Sequence, residues 1–164
     1  MAQKETPLLV KIASQLQWIE GLFLTSLALG IVLTLMNIAA AIVMEVSLAG
    51  LAIVFFLYMY KPLEVQRDEG EKKWGFQELL VYIIVPKVIW ISSSFSTLGI
   101  LFYLFHFGNN GYQRLLMTGG SAIFIALLVL GYSSIAGTKH VKSAIPLLFR
   151  AIPLLVIDYL FFFK

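Results

Sequence analysis

Long apolar runs separated by short polar breaks predict helices that cross a membrane. A spanning helix needs about 20 mostly apolar residues. The stretch 21–60 is about twice that length, and only Asn37, Glu45 and small polar residues interrupt it. It therefore predicts two helices joined by a tight turn. With the later runs, the pattern predicts five transmembrane helices, at about 18–38, 42–60, 87–107, 114–136 and 143–163.

The segments outside these runs have simpler interpretations. Residues 1–17 are predicted to be an amphipathic N-terminal lead-in, because their apolar residues recur at helical spacing. The polar segment 61–77 is predicted to be a cytoplasmic loop. Residues 76–85 allow two alternatives around Pro86, a separate segment lying in the membrane interface or one long helix kinked at the proline. The interfacial segment is the preferred alternative.

The fifth run leaves the helix count open. It contains Arg150, Asp158, Pro146 and Pro153, and charges within a span are unfavourable. The alternative to five spans is four spans with an interfacial or re-entrant C-terminal helix. Either way, the pattern predicts an all-α, polytopic helix bundle that forms a single membrane domain over 1–164.

Composition supports the membrane interpretation, and the charge distribution sets an orientation. The chain has 164 residues, 60% hydrophobic and 13% charged, whereas soluble domains have about 25% charged residues. With the N-terminus in the cytoplasm, only Arg114 and Lys164 fall on the far side. The inner loops then receive most of the basic residues, as the positive-inside rule requires: Lys4, Lys11, Lys61, Arg67, Lys72, Lys73, Lys139 and Lys142. This orientation predicts the C-terminus on the opposite side of an unspecified membrane.

The sequence does not support nucleic-acid binding, metal binding or catalysis. Basic residues at the ends of apolar runs do not form the clustered patch of a nucleic-acid binder. The chain has no cysteine, and His106 and His140 are predicted on opposite membrane faces, so we expect no metal site and no cofactor. Phosphate-binding loops, nucleophile elbows and zincin motifs are missing from the sequence. We therefore expect no enzymatic activity.

Small residues at helical spacing predict the packing faces, since helices in lipid associate by close backbone approach and interhelical hydrogen bonds. One such stripe lies in each of the first, third and fourth spans: Ser26, Gly30, Thr34 and Asn37; Ser92, Ser96 and Gly99; Thr118, Ala122 and Ala126. These stripes hold a bundle or an oligomer together, or they line a hydrophilic path.

Four ionisable residues are candidates for function because they fall within or beside spans. Arg150 either reaches the inner interface or contacts an anion, a substrate or a neighbouring subunit. Asp158 and Glu45 are both expected near the outer surface. For Glu45 the alternative is a proton-titrating carboxylate whose pKa is raised by burial. Lys87 is expected to lie at headgroup level. Eight residues of helix separate Arg150 from Asp158 by about 12 Å, so we expect no direct pair between them.

Two functional hypotheses remain. The first is a non-catalytic structural or assembly subunit of a larger membrane complex, with the lipid bilayer and other membrane chains, or copies of itself, as partners. The alternative is a small homo-oligomeric transporter or channel that uses Arg150, Glu45 and Asp158 along its path.

Overall fold

Every regular element in the described part of the chain is a helix. The computed structural model describes residues 7–61, 75–107, 110–137 and 145–162, with side chains over 15–61, 75–107, 110–137 and 146–161. The helices are α1 (Pro7–Leu35), α2 (Ala41–Tyr58), α3 (Phe76–Leu79), α4 (Val85–Leu104), α5 (Gly111–Ile135) and α6 (Ile145–Phe162). The all-α prediction is confirmed. The start of the N-terminal lead-in, most of the polar loop and His140 lie outside the described residues.

Four stretches of helix are long and apolar enough to cross a bilayer. They are Gln15–Leu35, Ala41–Tyr58, Phe76–Leu104 and Gly111–Ile135. The C-terminal helix α6 is not among them; its 18 residues correspond to about 27 Å of helix. The structure therefore supports a helix bundle in which four of the five predicted spans have the length and composition to cross a membrane.

The third candidate span is one continuous helix, which is the second of the two alternatives for residues 76–85. A π-helical turn, Leu80–Ile84, joins α3 to α4, and the N–H of Val85 donates to the carbonyl of Leu80 five residues back. Pro86 follows directly. A proline ring crowds the carbonyl four residues before it and donates no hydrogen bond. The wider turn accommodates the proline without ending the helix.

Residues in the left-handed conformation end three of the helices. Asn37 has φ 58°, His106 has φ 53° and Gly137 has φ 69°. At Asn37, the N–H of Ile38 donates to Leu33 O at 2.9 Å and that of Asn37 to Thr34 O at 3.0 Å, which is the Schellman pattern. Asn37 thus forms the tight turn between α1 and α2, and it does not extend the small-residue stripe of α1.

The bundle is arranged around α4, which packs against α2, α5 and α6, while α1 packs mainly on α2. A larger core cluster includes Val54, Ile89, Ile123 and Ala151, and a smaller one is built around Leu48, Ile100, Leu101 and Leu116. The hydroxyl of Ser94 donates to Ala52 O at 2.8 Å and joins α4 to α2. Interhelical bonds of this kind are the polar contacts expected of a membrane bundle.

Candidate functional site

Arg150 forms an ion pair with Glu20, between the two ends of the chain. Its Nη2 atom in α6 lies 3.2 Å from Glu20 Oε2 in α1; the Glu20 side chain is 6% exposed and that of Arg150 is 42% exposed. The attraction between opposite charges at this distance offsets part of the free-energy cost of removing the Glu20 carboxylate from water. Arg150, a charge within an apolar run of the sequence, therefore has a partner within the same chain.

Two aromatic rings complete this arrangement. The hydroxyl of Tyr58, at the end of α2, donates to Glu20 Oε2 at 2.7 Å. Trp90 of α4 stacks on Tyr58 with ring centroids 4.4 Å apart. Arg150 Cζ lies 5.6 Å from the Tyr58 centroid and 5.4 Å from that of Trp90, within cation–π range. We call Glu20, Tyr58, Trp90 and Arg150 the four-helix junction, because each comes from a different helix.

The contacts of the four-helix junction hold helices together. Glu20 Oε2 accepts from both Tyr58 and Arg150, so its charge is compensated. The guanidinium has five donors, and its exposed fraction leaves it accessible from outside the bundle. The junction ties α6 to α1, α2 and α4.

Asp158 forms a second, separate polar site. Ser96 Oγ of α4 donates to Asp158 Oδ2 at 2.5 Å, and the Asp158 residue is 4% exposed. Its other oxygen, Oδ1, is buried and has no hydrogen-bond partner among the described residues. The sequence placed Asp158 at the outer interface; instead it lies inside the bundle. A buried carboxylate oxygen without a partner is unusual in a folded protein.

Two glycines of α5 make room for this carboxylate. A Cβ atom at Gly120 would lie 3.3 Å from Asp158 Oδ2. A Cβ at Gly119 would lie 2.9 Å from Ser92 O and would also collide with Ser96 Oγ. The close approach of α5 to α4 and α6 therefore depends on the absence of side chains at these two positions.

A groove between α5 and α6 opens beside Asp158. Its volume is about 560 Å³, within the range of about 300–1,000 Å³ typical of ligand pockets. Asp158 forms part of its wall, and apolar side chains form most of the rest, including Met117, Phe124, Leu155 and Val156. The groove combines a mostly apolar wall with one buried carboxylate, and the hydroxyl-bearing residues Ser121 and Tyr159 also line it.

The other predicted charged candidates do not join either site. Lys87 is exposed on the surface of the bundle, within the continuous stretch Phe76–Leu104 rather than at its start, and Glu45 is half-buried near the start of α2. Arg150 and Asp158 have different partners, in agreement with the expected separation along α6. The structure thus brings together none of the pairs among Arg150, Glu45 and Asp158.

The predicted packing stripes of α1 and α4 differ in how deeply they are buried. In α1, a Cβ at Gly30 would meet the Met44 side chain at 2.6 Å, and Thr34 Oγ1 contacts Met44 Sδ at 3.5 Å; Ser26 is half-buried. In α4, Ser92, Ser96 and Gly99 are buried. In both helices the glycine of the stripe lies at a close helix contact.

The stripe predicted for α5 lies only partly in the core of the bundle. Ala126 is buried, but Ala122 is half-buried and Thr118 is exposed. The buried face instead carries Gly119 and Gly120 with Leu116, Ile123 and Leu130. Small-residue spacing alone did not distinguish between neighbouring faces of this glycine-rich segment.

Glu20, Tyr58 and Trp90 were missed as site residues. One signal could have found the first: the predicted topology places Glu20 and Arg150 near the inner end of their spans, at similar depth. Opposite charges at equal depth in a bundle are candidates for a pair. The aromatic members carry no comparable signal, since aromatic residues are common at membrane interfaces.

The described residues contain no group of three or more potential metal ligands of the His, Cys, Asp or Glu type. Comparison of the chain with protein-family models, with curated proteins and with solved structures gives no match.

Proposed function

We propose that this chain is a non-catalytic structural subunit of a larger membrane assembly, inserted as five spans with its N-terminus in the cytoplasm. The observation that carries the proposal is the exposure of α1. Only 11% of an apolar 18-residue stretch within Gln15–Leu35 is buried, against 56% of such a stretch within Phe76–Leu104. Apolar side chains facing lipid need no partner, so the small residues on that exposed surface are the informative ones.

Gly21, Thr25 and Ala28 are exposed on α1 at spacings of four and three residues. A Cβ at Gly21 would meet nothing within 4 Å. Small residues in this pattern allow another helix to approach closely, and close packing drives helix association in lipid. This surface is available to a neighbouring chain in the assembly.

The proposed fifth span is α6. Its two ionisable residues would be unfavourable in lipid if unpaired. Glu20 compensates the charge of Arg150, and Ser96 donates to Asp158. These contacts favour insertion of α6 with the rest of the bundle over its lying in the interface.

The test is to purify the tagged chain from its own membrane in mild detergent and to weigh the complex by native mass spectrometry. We expect different chains at fixed stoichiometry. Gly21→Leu should remove them, because leucine holds a neighbouring backbone away. Gly131→Leu is the matched control, since a Cβ at Gly131 also meets nothing within 4 Å, and it should leave the complex intact. A closed ring containing only this chain would contradict the proposal.

The second candidate is the homo-oligomeric transporter, and the unpartnered Oδ1 of Asp158 favours it. Purified protein in vesicles should then carry a solute or proton flux that Arg150→Gln reduces. The absence of any flux before the substitution removes the basis for this candidate.

A further inference from the structure

We propose that the groove between α5 and α6 binds a cationic amphiphile, with its ammonium group at Asp158 and its apolar body along the groove wall. The proposal goes beyond an assembly role, because it concerns a small molecule taken up from the surrounding lipid. It rests on the apolar lining of the groove, on the Asp158 oxygen that lacks a partner among the described residues, and on the absence of any other charged side chain from the lining.

The groove selects an apolar body. Leu155, Val156 and Leu160 of α6 face Met117 and Phe124 of α5 across it. Between Leu116 and Phe124 the groove follows α5 for about 12 Å. A hydrocarbon chain buried there exchanges lipid contacts for protein contacts. The wall therefore recognises the ligand by its shape and contributes few polar contacts.

The head group is selected by Asp158. An ionised carboxylate accepts hydrogen bonds and donates none. Oδ2 already accepts from Ser96, whereas Oδ1 has no partner in the described part of the chain. Asp158 lines the groove, and so does Gly120, which places no side chain beside the carboxylate.

Charge complementarity favours an ammonium over a hydroxyl. No other acidic or basic side chain lines the groove. An ammonium supplies both the missing donor and the opposite charge, and charge-assisted hydrogen bonds are about twice as strong as neutral ones. A hydroxyl supplies only the donor.

The experiment measures binding of dodecylammonium to the full chain in phosphatidylcholine nanodiscs by equilibrium dialysis, with empty nanodiscs subtracted. We expect saturable binding of one molecule per chain. Dodecan-1-ol has the same body with a neutral donor, and it should bind about tenfold more weakly or worse. Equal affinities for the two probes would overturn the assignment of a cationic ligand.

Two variants locate the site. Asp158→Asn keeps the size of the side chain and its acceptor for Ser96 but removes the charge, so it should weaken dodecylammonium binding by about tenfold or more. Val156→Trp fills the groove from its exposed wall and should weaken binding similarly. Ile125→Trp is the control, because Ile125 is also exposed but does not line the groove.

Undiminished binding by Val156→Trp would overturn the proposal, as would equal losses in Val156→Trp and Ile125→Trp. Circular dichroism and size-exclusion profiles show whether Asp158→Asn folds. If it does not fold, the two tryptophan variants decide the outcome, since both substitutions lie on the exposed surface. If it folds and binds like the unsubstituted chain, the proposal fails.

Discussion

At the scale of single residues, a few polar side chains in an apolar bundle are stable because each has a specific partner. Arg150 was recognisable from the sequence as an anomaly, because a charge in an apolar run is expensive. Its partner was not recognisable, since the Arg150–Glu20 distance depends on how α1 and α6 are rotated. Asp158 differs, because Ser96 satisfies only one of its two oxygens.

The first prediction concerns the ion pair. Glu20→Gln and Arg150→Gln should each lower the free energy of unfolding by about 1–3 kcal/mol, because each leaves a partly desolvated charge without its partner. The partial exposure of Arg150 keeps the loss below that of a fully buried pair. Unfolding in mixed detergent micelles, followed by circular dichroism, measures the change.

The double variant provides the control for this prediction. With both charges removed, the loss should be smaller than the sum of the single losses by about 0.5–3 kcal/mol. Strictly additive losses would mean that the two side chains do not interact in the folded protein.

At the scale of the elements, helix ends and helix contacts depend on backbone conformation more than on hydrophobicity. The apolar runs indicated where helices lie, but Asn37 and His106 end theirs in the left-handed conformation, which glycine usually supplies. The continuity of α3 and α4 depends on the π-helical turn before Pro86. Hydropathy cannot reveal such a turn, because it reports burial and not hydrogen-bond register.

The second prediction compares two glycines of α5. Gly119→Ala should destabilise the bundle by about 1–3 kcal/mol through overpacking against Ser92 and Ser96. Gly131→Ala should be neutral or stabilising by up to about 1 kcal/mol, because alanine is the better helix former and meets no neighbour. Thermal unfolding of the two variants under identical detergent conditions makes the comparison. Equal effects would show that α5 does not approach α4 closely at Gly119.

At the scale of the whole molecule, the apolar runs and the charge bias together predict how the chain crosses the membrane. Four helices have the required length and composition, and in the proposed topology α6 determines whether the number of spans is odd or even. An odd number of spans places the two termini on opposite sides of the membrane, and an even number places them on the same side.

The third prediction uses the absence of cysteine from the chain, which gives no labelling background. Single cysteines replace Lys61, Gln113, Ala136 and Lys164 in turn. They are labelled with an impermeant maleimide in sealed vesicles whose cytoplasmic face is on the inside. Gln113→Cys and Lys164→Cys should react from the side opposite the cytoplasm, and Lys61→Cys and Ala136→Cys only after permeabilisation.

Reaction of Lys164→Cys together with Lys61→Cys would instead show that α6 does not cross. The span count would then be four with an interfacial or re-entrant C-terminal helix. Labelling of Gln113→Cys and Ala136→Cys from the same side would contradict the crossing of α5.

The sequence alone determined that the protein is an all-helical bundle with several helices fit to span a membrane, because run length and hydropathy are local properties of the chain. It also identified Arg150 and Asp158 as anomalous. Only the tertiary structure decided that Arg150 pairs with Glu20, that Ser96 reaches Asp158, and that Gly119 and Gly120 form the close contact in α5. These contacts depend on helix rotation and on approach between distant segments, which side-chain packing fixes and no local pattern records.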